Sequence, residues 1–113
     1  MKKTDKKIEK AIVEALTQVC EIAHDEVAGF EWLTHRVKYS QFPASLSVHC
    51  IFATQNELSG ALLAKQDDFL RSLIGDKLRA VGIALKDTAR QVHFDTEEAC
   101  ALEHGGRWQL RLP

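Results

Sequence analysis

The sequence predicts an α+β domain: a two-layer sandwich with a mainly antiparallel four-stranded sheet and two long helices on one face, in the order αββαβαβ. Three observations lead there. Apolar residues recur at intervals of three and four across two long segments, they alternate across four short ones, and each helix carries one apolar side that must be buried against a matching sheet face.

From Asp5 to Val27, Ile8, Ile12, Ala15, Leu16, Val19, Ile22 and Ala23 keep helical spacing, while Lys10, Glu14, Glu21 and Asp25 fill the opposite side. Thr4 or Asp5 is the expected cap, and Gly29 the expected left-handed residue at the end. The stretch FEWLTHRVKYSQFPASLSVHCIFAT then reads as a β-hairpin around a turn holding Pro43. Leu46, Val48, Cys50 and Phe52 alternate with Ser47, His49 and Ile51. Val37 and Tyr39 share a face and leave Arg36 and Lys38 on the other, with the alternation slipping near Trp32 and Leu33.

A second long helix opens at Thr54 or Asn56 and stops at Gly82, with Leu58, Leu62, Leu63, Phe69, Leu70, Leu73, Ile74, Leu78 and Val81 on a broad apolar face. Gly75 inside it costs about 1 kcal/mol relative to alanine and marks the expected bend. RQVHF alternates Val92 and Phe94 against Gln91 and His93 as a third strand. The unbroken run Ala99 to Leu102 favours a short helix over a hairpin turning at Gly105-Gly106, with Asp95 or Thr96 as cap, Glu97 and Glu98 in the first turn and Gly105 at the end. Trp108, Leu110 and Leu112 alternate with Arg107, Gln109 and Arg111 as a final strand.

A chain of 113 residues fits a single domain over 1–113, and a net charge of -1 gives no overall positive field toward nucleic acid or anionic membrane. Apolar runs fall far short of the roughly 20 residues of a membrane helix, and the N-terminal lysines are followed by Glu9, Glu14 and Glu21 rather than by a secretory apolar core. Three cysteines form no disulfide framework, so a reducing cytoplasm is expected.

Cys100 and His104 lie one helical turn apart, as do Cys20 and His24, the spacing that two halves of a Cys2His2 zinc site would use. Nothing in the sequence brings the two segments together, and both cysteines stand at apolar positions, so no metal and no cofactor is expected. His49 and Cys50 point to opposite faces of one strand. His35, His93 and Asp95 offer a base and a carboxylate, but no nucleophile elbow, phosphate loop or paired-carboxylate motif accompanies them, and catalysis is not expected. Of the aromatic residues, only Trp32 has an ambiguous register and an uncertain place in the core.

The functional expectation comes from the face turned away from the helices: Arg36, Lys38, Ser47, His49, Gln91, His93, Arg107, Gln109 and Arg111. This set holds four permanent cations and no carboxylate, leaving the rest of the chain acidic. A non-enzymatic binding or regulatory domain follows, contacting nucleic acid or another anionic partner such as an acidic protein through Arg36, Lys38, His49, His93, Arg107 and Arg111. The alternative is a protein-interaction or homodimerisation module using Trp32, Ile51 or an exposed helix face.

The stretches MKKTDKKIEKAIVEALTQVCEIA, GFEWLTH and VHFDTEEAC resemble those of short bacterial proteins labelled Fis-family transcriptional regulators. The resemblance spans most of the chain and implies a bacterial cytoplasmic setting. Fis proteins end in a helix-turn-helix, whereas GGRWQLRLP alternates like a strand, so no DNA-reading residue carries over.

Overall fold

A computed structural model describes residues 2–112. Helix α1 (Lys3–Glu26) is followed by strand β1 (Phe30–Arg36), a 3-10 turn at Tyr39–Gln41 and strand β2 (Ser47–Phe52). Helices α2 (Gln55–Leu63), α3 (Gln66–Ala80) and α4 (Thr88–Gln91) lead into strand β3 (Val92–Thr96), and the chain closes with α5 (Glu97–His104) and α6 (Trp108–Arg111).

The α+β class stands, but the sheet is three-stranded and mixed, in the order β1-β2-β3, rather than four-stranded and mainly antiparallel. β1 and β2 pair antiparallel, from Phe30 with Phe52 to Arg36 with Ser47, and the register shifts between Phe30 and Trp32. That irregularity is where the sequence alternation slips. β2 and β3 pair parallel, Val48 with Val92 and Phe52 with Thr96. The parallel pairing has a topological cause: three helices intervene between the two strands, and the chain crosses the sheet and re-enters from the same end.

The segment expected to be the fourth strand is helix α6 instead. Alternation over so few residues does not distinguish strand from helical turn. Here the decision falls to Trp108 and Arg111, three residues apart and on one side of the turn, both held by acids of the preceding elements.

The main core lies between the sheet and α1 with α3. Ile12, Leu16, Val19, Leu70, Ile74 and Leu78 pack on Val48, Cys50, Phe52 and Val92, all buried. Phe30 and Phe52 meet edge to face at 6.1 Å. Thr54 caps α2 by accepting from the Glu57 N–H at 3.1 Å, as expected, whereas the start of α1 has no side-chain cap from Thr4 or Asp5.

The second long helix is in fact two. It breaks at Ala64-Lys65, where Lys65 adopts a left-handed φ of 60°, and not at Gly75, which is buried inside α3 with Thr88 nearby. The break turns part of the expected apolar face to solvent, and Leu63 is 87% exposed. Gly29, with φ of 84°, ends the first helix region as expected, and a Cβ there would lie 2.7 Å from that of Glu57.

Gln91, expected on an outward strand face, is instead the buried last residue of α4. Its Nε2 donates to the carbonyls of Pro43 and Leu46, both at 2.9 Å, and its Oε1 accepts from the Asp87 N–H at 2.9 Å. One side chain thereby ties the β1–β2 connection to the entry of β3. Gln91→Leu orphans these groups and is expected to lower the unfolding free energy by about 2 kcal/mol or more, measured by urea denaturation. A change below about 0.5 kcal/mol would mean the connection is held by other contacts.

Candidate functional site

Two regions of the sheet hold the chemistry-bearing side chains: its outer face, turned away from α1 and α3, and its free edge at β1. On the outer face stand Trp32, Thr34 and Arg36 of β1, Ser47, His49 and Ile51 of β2, and His93 and Asp95 of β3. Half of this face is covered. α5 and α6 fold over it, and Ile51 is 0% exposed although it points away from the main core.

The cover is fastened by polar contacts. Trp32 and Trp108 meet edge to face at 5.0 Å, and both indole N–H groups donate to the Glu97 carboxylate, Trp108 at 3.3 Å. Arg111 binds Asp95 through Nε at 2.5 Å and Nη2 at 2.9 Å, and also donates to Glu103. Hydrogen bonds to Asp95 and then Glu103 push the Arg111 guanidinium well above its ordinary range. Arg36 donates to the Leu112 carbonyl. Thr96 caps α5 by accepting from the Ala99 N–H at 3.0 Å, and Asp95 accepts from the Thr96 N–H at 2.8 Å as well as from Arg111.

The expected basic face is therefore divided. Arg111 spends its charge on two carboxylates, and Asp95 stands on the outer face itself. Arg107 precedes α6 and is exposed, and Arg36 and Lys38 are exposed beside one another along the chain. Lys38 lies beyond the end of β1, not on a strand face. Arg36 and Lys38 do line one cleft of about 320 Å³ with Gln41 and Ser45. His49 and His93 occupy paired positions on adjacent strands, with their rings stacked at 4.9 Å. Burial, then the neighbouring His93 and Arg36, lower the His49 pKa below its ordinary value.

Glu9, Tyr39, Glu97 and Trp108 are the residues to which the sequence assigned no part in a site. Glu9 of α1 binds His35 Nε2 at 2.8 Å and accepts from the Tyr39 hydroxyl. Desolvation and Glu9 push that phenol up to about 12. The carboxylate beside His35 is thus Glu9, and Asp95 serves Arg111. No sequence motif pairs Glu9 with His35, because the contact joins a helix to a strand across 26 residues of chain.

At the free edge, α1 and β1 enclose a groove of about 280 Å³ lined by Val13, Thr17, Cys20, Leu33 and His35. The thiol of Cys20 lies against the Leu33 backbone, and burial followed by the Glu21 charge raises its pKa. That is the reverse of what activates a nucleophile. Cys50 is pushed up to about 12 by burial, and Cys100 is raised for the same reason. Cys100 and His104 share a short helix as expected, but among the described residues no three His, Cys, Asp or Glu side chains gather as metal ligands.

No protein-family model, curated protein or solved structure matches this chain. Among the described residues no helix is long and apolar enough to cross a membrane.

The depressed His49 pKa has a thermodynamic consequence. Between the folded value and the unfolded 6.5, the unfolded chain binds more protons, so stability is full above about pH 6.5 and declines as the pH falls below it. NMR titration should place the His49 midpoint below 6.5, and His49→Gln should flatten this part of the stability profile. A midpoint at or above the ordinary value would contradict the described packing of the two rings.

Proposed function

We propose that this chain is a non-enzymatic protein-interaction module that docks its partner at the α1–β1 edge. One observation carries the reading: an unpaired seven-residue strand edge and a charge-free helical stripe border the same groove. The stripe is Val13, Thr17 and Cys20, at helical spacing on a helix otherwise rich in lysine and glutamate. Val13 is 48% exposed, and the Thr17 hydroxyl donates to the Val13 carbonyl at 2.7 Å, which satisfies its own polarity and leaves its methyl outward.

Isolated strand edges usually carry a lysine, a proline or a short length that prevents pairing. β1 has no lysine or proline within Phe30–Arg36, and its register irregularity is confined to the Phe30–Trp32 end. The other edge strand, β3, has five residues and lies beside the Arg71 guanidinium, which sits 4.9 Å above the Phe94 ring. A photo-crosslinking amino acid placed at Thr17 in cells should give one discrete adduct, and the same group at Arg79 should not. A diffuse smear from both positions would overturn the reading.

A second reading draws on the cleft that joins Arg36 and Lys38: contact with a phosphate backbone or another anionic partner, with His49 and His93 as neighbouring donors. With Arg111 neutralised, few cations remain for it. Binding to generic nucleic acid should be weak and its salt dependence shallow, with a log–log slope of about -2 at most. Absence of binding at low salt would remove this reading and leave the first untouched.

A further inference from the structure

We infer that the outer face of the sheet holds a nucleotide site, with an unpaired base against Trp32 and Trp108 and its phosphate in the cleft between Arg36 and Lys38. The site rests on the anionic-partner reading above and adds to it the chemical class of the ligand.

Two clefts adjoin at Arg36, which lines both. One, of about 230 Å³, is completed by Trp32, Thr34, Trp108, Gln109 and Leu112, and the other, of about 320 Å³, by Val37, Lys38, Gln41 and Ser45. No carboxylate lines either one, whereas a cavity of about 510 Å³ beside α3 sets Asp68 and Asp76 against Arg71 and Arg79. The pairing of β1 with β2 is regular from Trp32 to Arg36, so Trp32, Thr34 and Arg36 stand on one side at steps of about 7 Å. Ring surface comes first, a hydroxyl next and a guanidinium last.

The contacts these groups already make leave the needed surfaces available. Both indole N–H groups are held by Glu97, which lines neither cleft and fixes the rings without using their faces. The edge-to-face contact, with 86° between the planes, covers one of the four ring faces, and both side chains are only half-buried. Arg36 gives one Nη to the Leu112 carbonyl, a neutral acceptor that does not cancel its charge. Neither Arg36 nor Lys38 forms an ion pair among the described residues. The Ser45 hydroxyl braces the Lys38 main chain, donating to its carbonyl at 2.6 Å and accepting from its N–H at 2.9 Å. Lys38 is thus exposed on a fixed backbone.

This order of groups selects the ligand. Aromatic rings stack on any base, and a guanidinium beside an ammonium binds phosphate. A phosphate bonded directly to a ring, as in a phosphotyrosine side chain, would set its charge at the indoles, but here Thr34 separates the rings from the cations. A nucleotide repeats the arrangement as base, sugar and phosphate. Its base must be unpaired, because a base stacked inside a duplex offers no face to a protein ring.

Trp32 and Trp108 are the two tryptophans of the chain, so indole fluorescence reports this cleft alone. Titrating the full chain at low salt with single-stranded tetrathymidylate should quench it, and an abasic strand of the same length should bind at least about fivefold more weakly in competition. Lys38→Gln, an exposed change outside the strands, should weaken binding of the strand and lower its log–log salt slope by about 0.7. Thymidine 5′-monophosphate tests the source: tighter binding than the strand points to free nucleotides, weaker binding to single-stranded nucleic acid, and either supports the site. Equal affinity for the abasic strand, or binding that leaves the indole emission unchanged, would overturn the base contact and leave the anionic-partner reading standing. Affinity indifferent to Lys38→Gln would overturn the placement of the phosphate. No binding of any of these probes at low salt would overturn both the site and that reading.

Discussion

Ile51 has no exposed surface although it points away from the main core, and the organisation of the outer face follows from covering it. Its neighbours on β2, Cys50 and Phe52, face α1 and α3, so the central strand must be shielded on both sides. Full burial of an isoleucine side chain is worth roughly 1.5–3 kcal/mol, a substantial fraction of a small domain's net stability. The shield is α5 and α6. These are short elements that would be marginal alone, and they are tied down by the Glu97 carboxylate shared between two indoles and by Arg111 on Asp95 and Glu103.

Fastening the cover consumes charge. Asp95 sits on the outer face as a counter-ion, Arg111 is drawn inward, and the field that a row of cations would have produced is partly cancelled at its source. The two cations left together, Arg36 and Lys38, belong to the far end of β1 and the loop beyond it. Such screening is a property of pairing, not of composition, so net charge alone reveals neither the loss nor the remaining cleft. With one outer half covered, the broadest unpartnered backbone lies at the β1 edge beside α1.

The local features were legible where the signal is local. Helical spacing in α1, the alternation of Val48, Cys50 and Phe52, the Thr54 cap, the left-handed Gly29 and the short helix at Glu97 all rest on interactions within a few residues. The failures required distant partners. Trp108, Leu110 and Leu112 alternate like a strand, but acids on β3 and α5 select a helical turn, which leaves Leu110 53% exposed. Val37, Lys38 and Tyr39 also alternate, yet Tyr39 starts a 3-10 turn and reaches Glu9 in α1. The break at Lys65 has no glycine or proline to announce it, whereas Gly75 advertised one and instead sits buried within an unbroken α3. The site residues divided in the same way: their positions along the chain were readable, but their counter-ions were not.

The covered outer face is tested most directly by proton NMR contacts between the Trp32 and Trp108 indoles, together with the pairing of the segment 107–112. The account predicts ring-to-ring NOEs, slow exchange of the Ile51 amide and helical short-range contacts from Trp108 to Arg111. Cross-strand contacts between 107–112 and β3, or indole rings that never meet, would contradict it and restore an open sheet face.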